Sequence, residues 1–165
     1  MKYSDIYRLY STSQPKDAIH QALREVPVDD SDEQYEDRSP LHLACQYGDT
    51  EGVKILLERD AEPNTKDANG STPIHILGRT SAGCADEDKL KEIAVMLIEQ
   101  GANIPRSAKN TTALIECIRN RHFKMAEAII DSGARVNSTD LNGENVLFGF
   151  CAASGLSLIH ISEPT

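Results

Sequence analysis

Apolar residues along the chain fall at helical spacing in short stretches, separated by polar punctuation. Leu90, Ile93, Ala94, Leu97 and Ile98 predict one amphipathic helix, with Asp86 or Asp88 as its cap and its end near Gln100. Ile19, Ala22 and Leu23 predict another, which Pro15-Lys16-Asp17 starts and Pro27 stops. The stretches also repeat. Pro40-Leu41-His42-Leu43 recurs 33 residues later as Pro73-Ile74-His75-Ile76, and Thr112-Ala113-Leu114 recurs 33 later as Asn145-Val146-Leu147. The loop residues Asn64, Asp67 and Gly70 are echoed by Asn137, Asp140 and Gly143. Three helix ends match as well: Leu56-Leu57-Glu58-Arg59-Asp60-Ala61, Leu97-Ile98-Glu99-Gln100-Gly101-Ala102 and Ile129-Ile130-Asp131-Ser132-Gly133-Ala134. A fixed period of this size is the mark of a repeat architecture.

Each recurring residue type has a local task. Pro40 and Pro73 suit a first helical position, where no N–H partner is lost. Ser39 and Thr72 suit the cap before it. Gly101 and Gly133 fit the left-handed turn after a helix, and Asp60 takes that place at some cost. Gly70 and Gly143 fit a tight turn with positive φ. Taken together, these motifs resemble the ankyrin repeat, a β-turn and two antiparallel helices with a Thr-Pro-Leu-His-x-Ala core. The resemblance implies an all-α solenoid of stacked helix-turn-helix units with short β-turn fingers. It also implies a scaffolding role for His42 and His75, whose counterparts in the family tie neighbouring loops together.

The expected division is uneven. Residues 1–33 read as a degenerate N-terminal capping repeat, since Ile19, Ala22 and Leu23 stand 33 positions before Gly52, Ile55 and Leu56. Repeat one covers 34–66 and repeat two 67–106. Pro40 to Ala61 is 21 residues whereas Pro73 to Ala102 is 29, so repeat two carries eight extra between its helices, around residues 79–88. Repeat three, 107–139, has Ala113 in place of Pro and Ile115 in place of His, and lacks the loop Asp and Gly. Repeat four, 140–155, is expected to stop after one helix. The final ten residues, Leu156–Thr165, resemble an in-frame translation of a transposase adapter used in sequencing libraries. On that reading they are a non-native tail on a truncated fragment, and the alternative is a genuine apolar tail with a lone His160.

Composition narrows the function. The chain has 17 Lys plus Arg against 26 Asp plus Glu, a net charge of −9, which argues against a nucleic-acid partner. No apolar run approaches the ~18 residues of a membrane span, and the first residues lack a signal-peptide core. A cytoplasmic, intracellular location is expected, with delivery to another cell by a signal-less route left open. Cys45, Cys84, Cys117 and Cys151 lie 39, 33 and 34 residues apart with no close pair, so no metal and no cofactor are expected. Cys45, Cys117 and Cys151 fall at small-residue places of first helices, while Cys84 lies in the polar insertion. No phosphate loop, dinucleotide fingerprint or nucleophile motif is present, and the protein reads as not an enzyme.

Two readings of function follow. The first is a protein-binding module that takes a protein partner on the concave groove of finger tips and first-helix ends. The second is the scaffold or regulatory arm of a larger enzyme or effector. By register, the family's partner-facing positions are Tyr35, Glu36, Arg38, Gln46 and Tyr47 in repeat one, and Asn69, Ser71, Arg79 and Thr80 in repeat two. Lys109, Thr111, Arg119 and Asn120 follow in repeat three. Tyr35, Tyr47, Arg38, Arg79 and Arg119 stand out, because aromatic and Arg side chains most often carry interface energy. Charge is also uneven: residues 29–37 hold six acids, whereas 106–124 hold five bases against Glu116. Those are either two solvated faces or the ends of a polarised groove. A monomer is expected, apart from association driven by truncation.

Overall fold

The computed structural model describes residues 1–80, 86–103 and 112–133. Cys84, Cys151, Lys109, Thr111, repeat four and the final ten residues lie outside the described residues. Eight α-helices run through the described chain: α1 Tyr3–Ser11, α2 Lys16–Glu25, α3 Pro40–Gln46, α4 Thr50–Glu58, α5 Pro73–Gly78, α6 Glu87–Glu99, α7 Ala113–Arg119 and α8 Phe123–Asp131. They form pairs, and the pairs stack. In one layer α3 packs on α5 and α5 on α7; in the other α2 packs on α4, α4 on α6 and α6 on α8. The fold is therefore an all-α solenoid, with no strand among the described residues.

Local chemistry explains the boundaries. Pro40 and Pro73 open α3 and α5. Ser39 and Thr72 stand at their caps, each in a reciprocal capping box with the histidine three residues on. The third first helix lacks that histidine, and its cap survives because the Thr112 hydroxyl accepts the Ile115 N–H. Asp86, of the two candidate caps, accepts the Asp88 N–H and starts α6. The second finger is a tight turn closed by Gly70 N to Asp67 O, with φ of 68° at Gly70. The first finger is built differently, from a 3-10 turn over Glu33–Tyr35 followed by Glu36 and Asp37 at φ of 59° and 52°. It has no glycine to turn on.

The N-terminal segment holds one helix that the sequence reading did not foresee. Helix α1 buries Tyr3, Ile6 and Tyr10, and it packs with α2 and α3. The buried residues of both layers join in a single apolar core, so each pair covers its neighbour's exposed face. Gly78 allows α5 and α7 to approach closely, since a Cβ there would stand 3.1 Å from the Ala113 carbonyl and 3.2 Å from Glu116 Cβ.

Asp60 holds φ of 61° after α4, where Gly101 and Gly133 hold 86° and 88° after α6 and α8. It is exposed, and replacing it removes the Cβ penalty of that conformation. Asp60→Gly is expected to raise unfolding free energy by about 0.5–1 kcal/mol in urea titrations. A loss of stability would contradict the left-handed cap.

Candidate functional site

The first two fingers adjoin the ends of the first helices that follow them, and two arginines make the contacts. Arg38 Nη1 donates to Gln46 Oε1 at 2.9 Å, and Arg79 Nη1 donates to Ser71 Oγ at 3.1 Å. Positions 38 and 71 are one repeat apart, as are 46 and 79. The same contact is thus made twice with donor and acceptor exchanged. Each arginine also reaches an acid of the following repeat. Arg38 Nε lies 3.6 Å from the buried Asp67 Oδ2, an ion-pair rather than a hydrogen-bond distance, and Arg38 Nη2 pairs with Glu36. Arg79 Nη2 lies 3.2 Å from Oε1 of the buried Glu116.

The other predicted residues divide by burial. Ser71 and Thr80 are buried and spend their polar groups on the scaffold. Ser71 O accepts from His42 Nε2 at 3.0 Å, and Thr80 Oγ1 donates to Cys45 O at 3.3 Å. Asn120 is half-buried, its Nδ2 donating to Gly78 O at 3.0 Å. Tyr35 and Tyr47 are half-buried and pack on α1. The Tyr35 ring lies 4.3 Å from that of Tyr7, and Tyr47 stacks on Tyr10 at 4.8 Å with planes 10° apart. Glu36 and Arg119 are exposed, and Gln46 and Asn69 partly so. Register chose these positions by their place along the chain. It carried no information on which side chains point inward.

Sequence reasoning missed a polar knot beneath this surface. The Tyr10 hydroxyl donates to Asp49 Oδ2 at 2.8 Å, and His20 Nε2 donates to the same carboxylate at 3.0 and 3.1 Å. Gly52 makes room for it, since a Cβ would stand 2.6 Å from Asp49 Oδ2 and 2.9 Å from Tyr10 Oη. Its one sequence signal was Gly52, a glycine inside a helical stretch. His122 was also missed; its Nε2 donates to Thr80 O at 2.6 Å.

Among the described residues no group of three His, Cys, Asp or Glu side chains could hold a metal ion. Nor is any helix there long and apolar enough to cross a membrane. Cys45 and Cys117 are buried free thiols, and burial pushes both well above the usual thiol range, which suppresses the reactive thiolate.

The family described as "Ankyrin repeats (many copies)" matches residues 22–77. The chain belongs to the ankyrin-repeat family. It is 38% identical over 69 residues to a transient receptor potential cation channel subfamily A member 1 homolog of Caenorhabditis elegans, covering 42% of this chain and 6% of that one. To neurogenic locus notch homolog protein 1 of Mus musculus it is 32% identical over 117 residues, 70% of this chain and 4% of that one. To ankyrin repeat protein nuc-2 of Neurospora crassa it is 29% identical over 124 residues, 74% and 10%. The chain therefore spans a small fraction of the length of these relatives. Ankyrin repeats are a non-catalytic fold that generally serves protein–protein interaction.

The ankyrin histidine sets a pH dependence. His42 Nδ1 accepts the Ser39 N–H at 3.1 Å, so the ring proton sits on Nε2 and reaches Ser71 O. Burial lowers its pKa to about 4, with the Ser71 carbonyl opposing. The unfolded chain, near 6.5, binds this proton more tightly than the folded one. The contribution is therefore complete above about pH 6.5 and is lost as pH falls through about 4, amounting to about 3 kcal/mol. Urea titrations between pH 7 and pH 4 should show that loss, and His42→Gln, less stable at pH 7, should lose less on acidification. Equal acid sensitivity in both proteins would contradict it.

Proposed function

We propose that this chain is a non-enzymatic protein-binding module, working without a cofactor, that takes a protein partner in the groove of its fingers and first-helix ends. Residues 1–33 serve as its N-terminal cap, ahead of repeats at 34–66, 67–106 and 107–139. The observation that carries this reading is the row Gln46, Arg79 and Arg119. These three occupy corresponding first-helix ends in successive repeats and stay solvent-accessible, beside the accessible Glu36 and Asn69. Lys109 and Thr111, outside the described residues, join the proposed set by their register in the sequence alone. Arg38, Ser71, Thr80 and Asn120 hold the row in place, because their polar groups reach neighbouring repeats. Tyr35 and Tyr47 close its N-terminal end. A cytoplasmic location accords with the free thiols of Cys45 and Cys117.

The second reading, the scaffold or regulatory arm of a larger protein, is favoured by one observation. The matched relatives are many times longer than this chain. Both readings use the same groove.

Tyr47 stacks on Tyr10 and Arg79 pairs with the buried Glu116, so the test changes other positions, of which Gln46 gives up one bond from Arg38. With a partner captured on the full chain, changing Gln46, Asn69 and Arg119 together to Ala should weaken binding by at least about 2 kcal/mol, near thirty-fold in Kd. The helical circular dichroism should persist. If binding survives that change but is lost with Glu58→Lys and Glu127→Lys on the second helices, the groove assignment is wrong.

A further inference from the structure

All five tyrosines of the chain gather at one end of the stack. Tyr3, Tyr7 and Tyr10 come from α1, Tyr35 from the first finger and Tyr47 from the end of α3. Two ring contacts join them, Tyr7 on Tyr35 and Tyr10 on Tyr47, and Tyr3 lies 5.7 Å from Tyr35. Tyr7, Tyr35 and Tyr47 remain partly exposed. Acids outnumber bases beside them: Asp29, Asp30, Asp32, Glu33, Glu36 and Asp37 occupy the adjoining segment, with Asp29, Glu33 and Glu36 exposed, against the exposed Lys2 and Arg8 at α1. Arg38, the basic side chain of that finger, has its nitrogens occupied by Glu36, Gln46 and Asp67. At the base of the patch the buried Tyr3 hydroxyl sits among Arg38, Tyr7, Asp32 and Tyr35 without a hydrogen-bond partner among the described groups.

We infer that this tyrosine surface, continuous from α1 to the first finger, docks an arginine- or lysine-rich peptide segment of a protein partner. The inference rests on the groove reading and extends it by one helix and by the partner's chemistry. Aromatic faces attract cations stacked over them. A surrounding acidic field steers a basic segment toward the patch and sets its orientation. Tyrosine offers contact area at little entropy cost, and here each ring is already held by another. An acidic segment would meet repulsion from 29–37, and a purely apolar one would leave the exposed Asp29 and Glu33 at the rim without counter-charge.

The chain has no Trp, so its tyrosine emission reports this end of the stack alone. The probes are three synthetic peptides of about ten residues, Arg-Gly-Ser, Glu-Gly-Ser and Gln-Gly-Ser repeats, titrated into the full chain. The Arg peptide should change the emission saturably, with affinity falling as salt rises, and the other two should not. Glu33→Gln with Glu36→Gln should weaken it at least about five-fold, as should Tyr7→Ala, whereas Glu58→Gln with Glu127→Gln should stay within about two-fold. Should Tyr7→Ala fail to fold by circular dichroism, the two glutamate pairs decide. Equal loss in both pairs would show general attraction to an acidic chain and overturn the proposal, as would the absence of a saturable change. If partner binding falls on changing Gln46, Asn69 and Arg119 yet the Arg peptide gives no response, this proposal fails and the groove stands. If partner binding ignores those three residues, the groove reading itself has failed.

Discussion

The hydrogen bond from His42 Nε2 to the Ser71 carbonyl joins one helix pair to the next in a space closed to water. A short helix pair has apolar residues on both sides and no means of covering them alone, so neighbouring pairs must meet at a fixed distance. Apolar packing is tolerant of small slides, whereas a buried donor facing a buried carbonyl is not, because leaving either unpaired costs about 1–3 kcal/mol. The register of the stack follows from such bonds. His122 to the Thr80 carbonyl and Asn120 to the Gly78 carbonyl repeat the principle one step along. With those joints inside, the outward ends of the fingers and first helices are left to vary.

The N-terminal pair has no such histidine motif, and it is joined by other chemistry. Tyr10 and His20 both donate hydrogen bonds to Asp49, one from each helix of the pair. Arg59, beyond the end of α4, donates to the carbonyls of Leu23 and Val26 at 2.5 and 2.7 Å and so finishes α2. A carboxylate buried to this degree is tolerable only with its oxygens satisfied, and the absence of a Cβ at Gly52 lets them be. The result seats α1 against the first finger. Its tyrosines then continue the surface that the fingers begin.

How far the sequence spoke depended on whether the signal was local. Pro40, Pro73 and the caps before them act within a few residues, so the starts of α3 and α5 were legible. So was the left-handed turn at Asp60, from its alignment with two glycines. Helix α1 escaped because its buried face is made of tyrosines, and Tyr3, Ile6, Tyr7 and Tyr10 do not read as a hydrophobic stripe despite their helical spacing. The Asp49 knot escaped because its members come from positions 10, 20 and 49, and no local pattern links them. Register placed Ser71 and Thr80 on the candidate surface, yet burial depends on the neighbouring repeat, which draws both inward. For Tyr35 and Tyr47 the reading missed the rings they rest on, because Tyr7 and Tyr10 lie in a helix it did not expect.

Helices α1 and α2 are integral to the stack, and the tyrosine surface exists only while α1 is seated. Native-state hydrogen exchange across the full chain tests this most directly. The amides of Ile6, Tyr10, Ala22 and Leu23 should exchange with the same opening free energy and denaturant dependence as those of Leu43, Val53 and Leu56, as one cooperative unit. Exchange of α1 and α2 through a separate opening of low free energy, with α3 and α4 still protected, would contradict it.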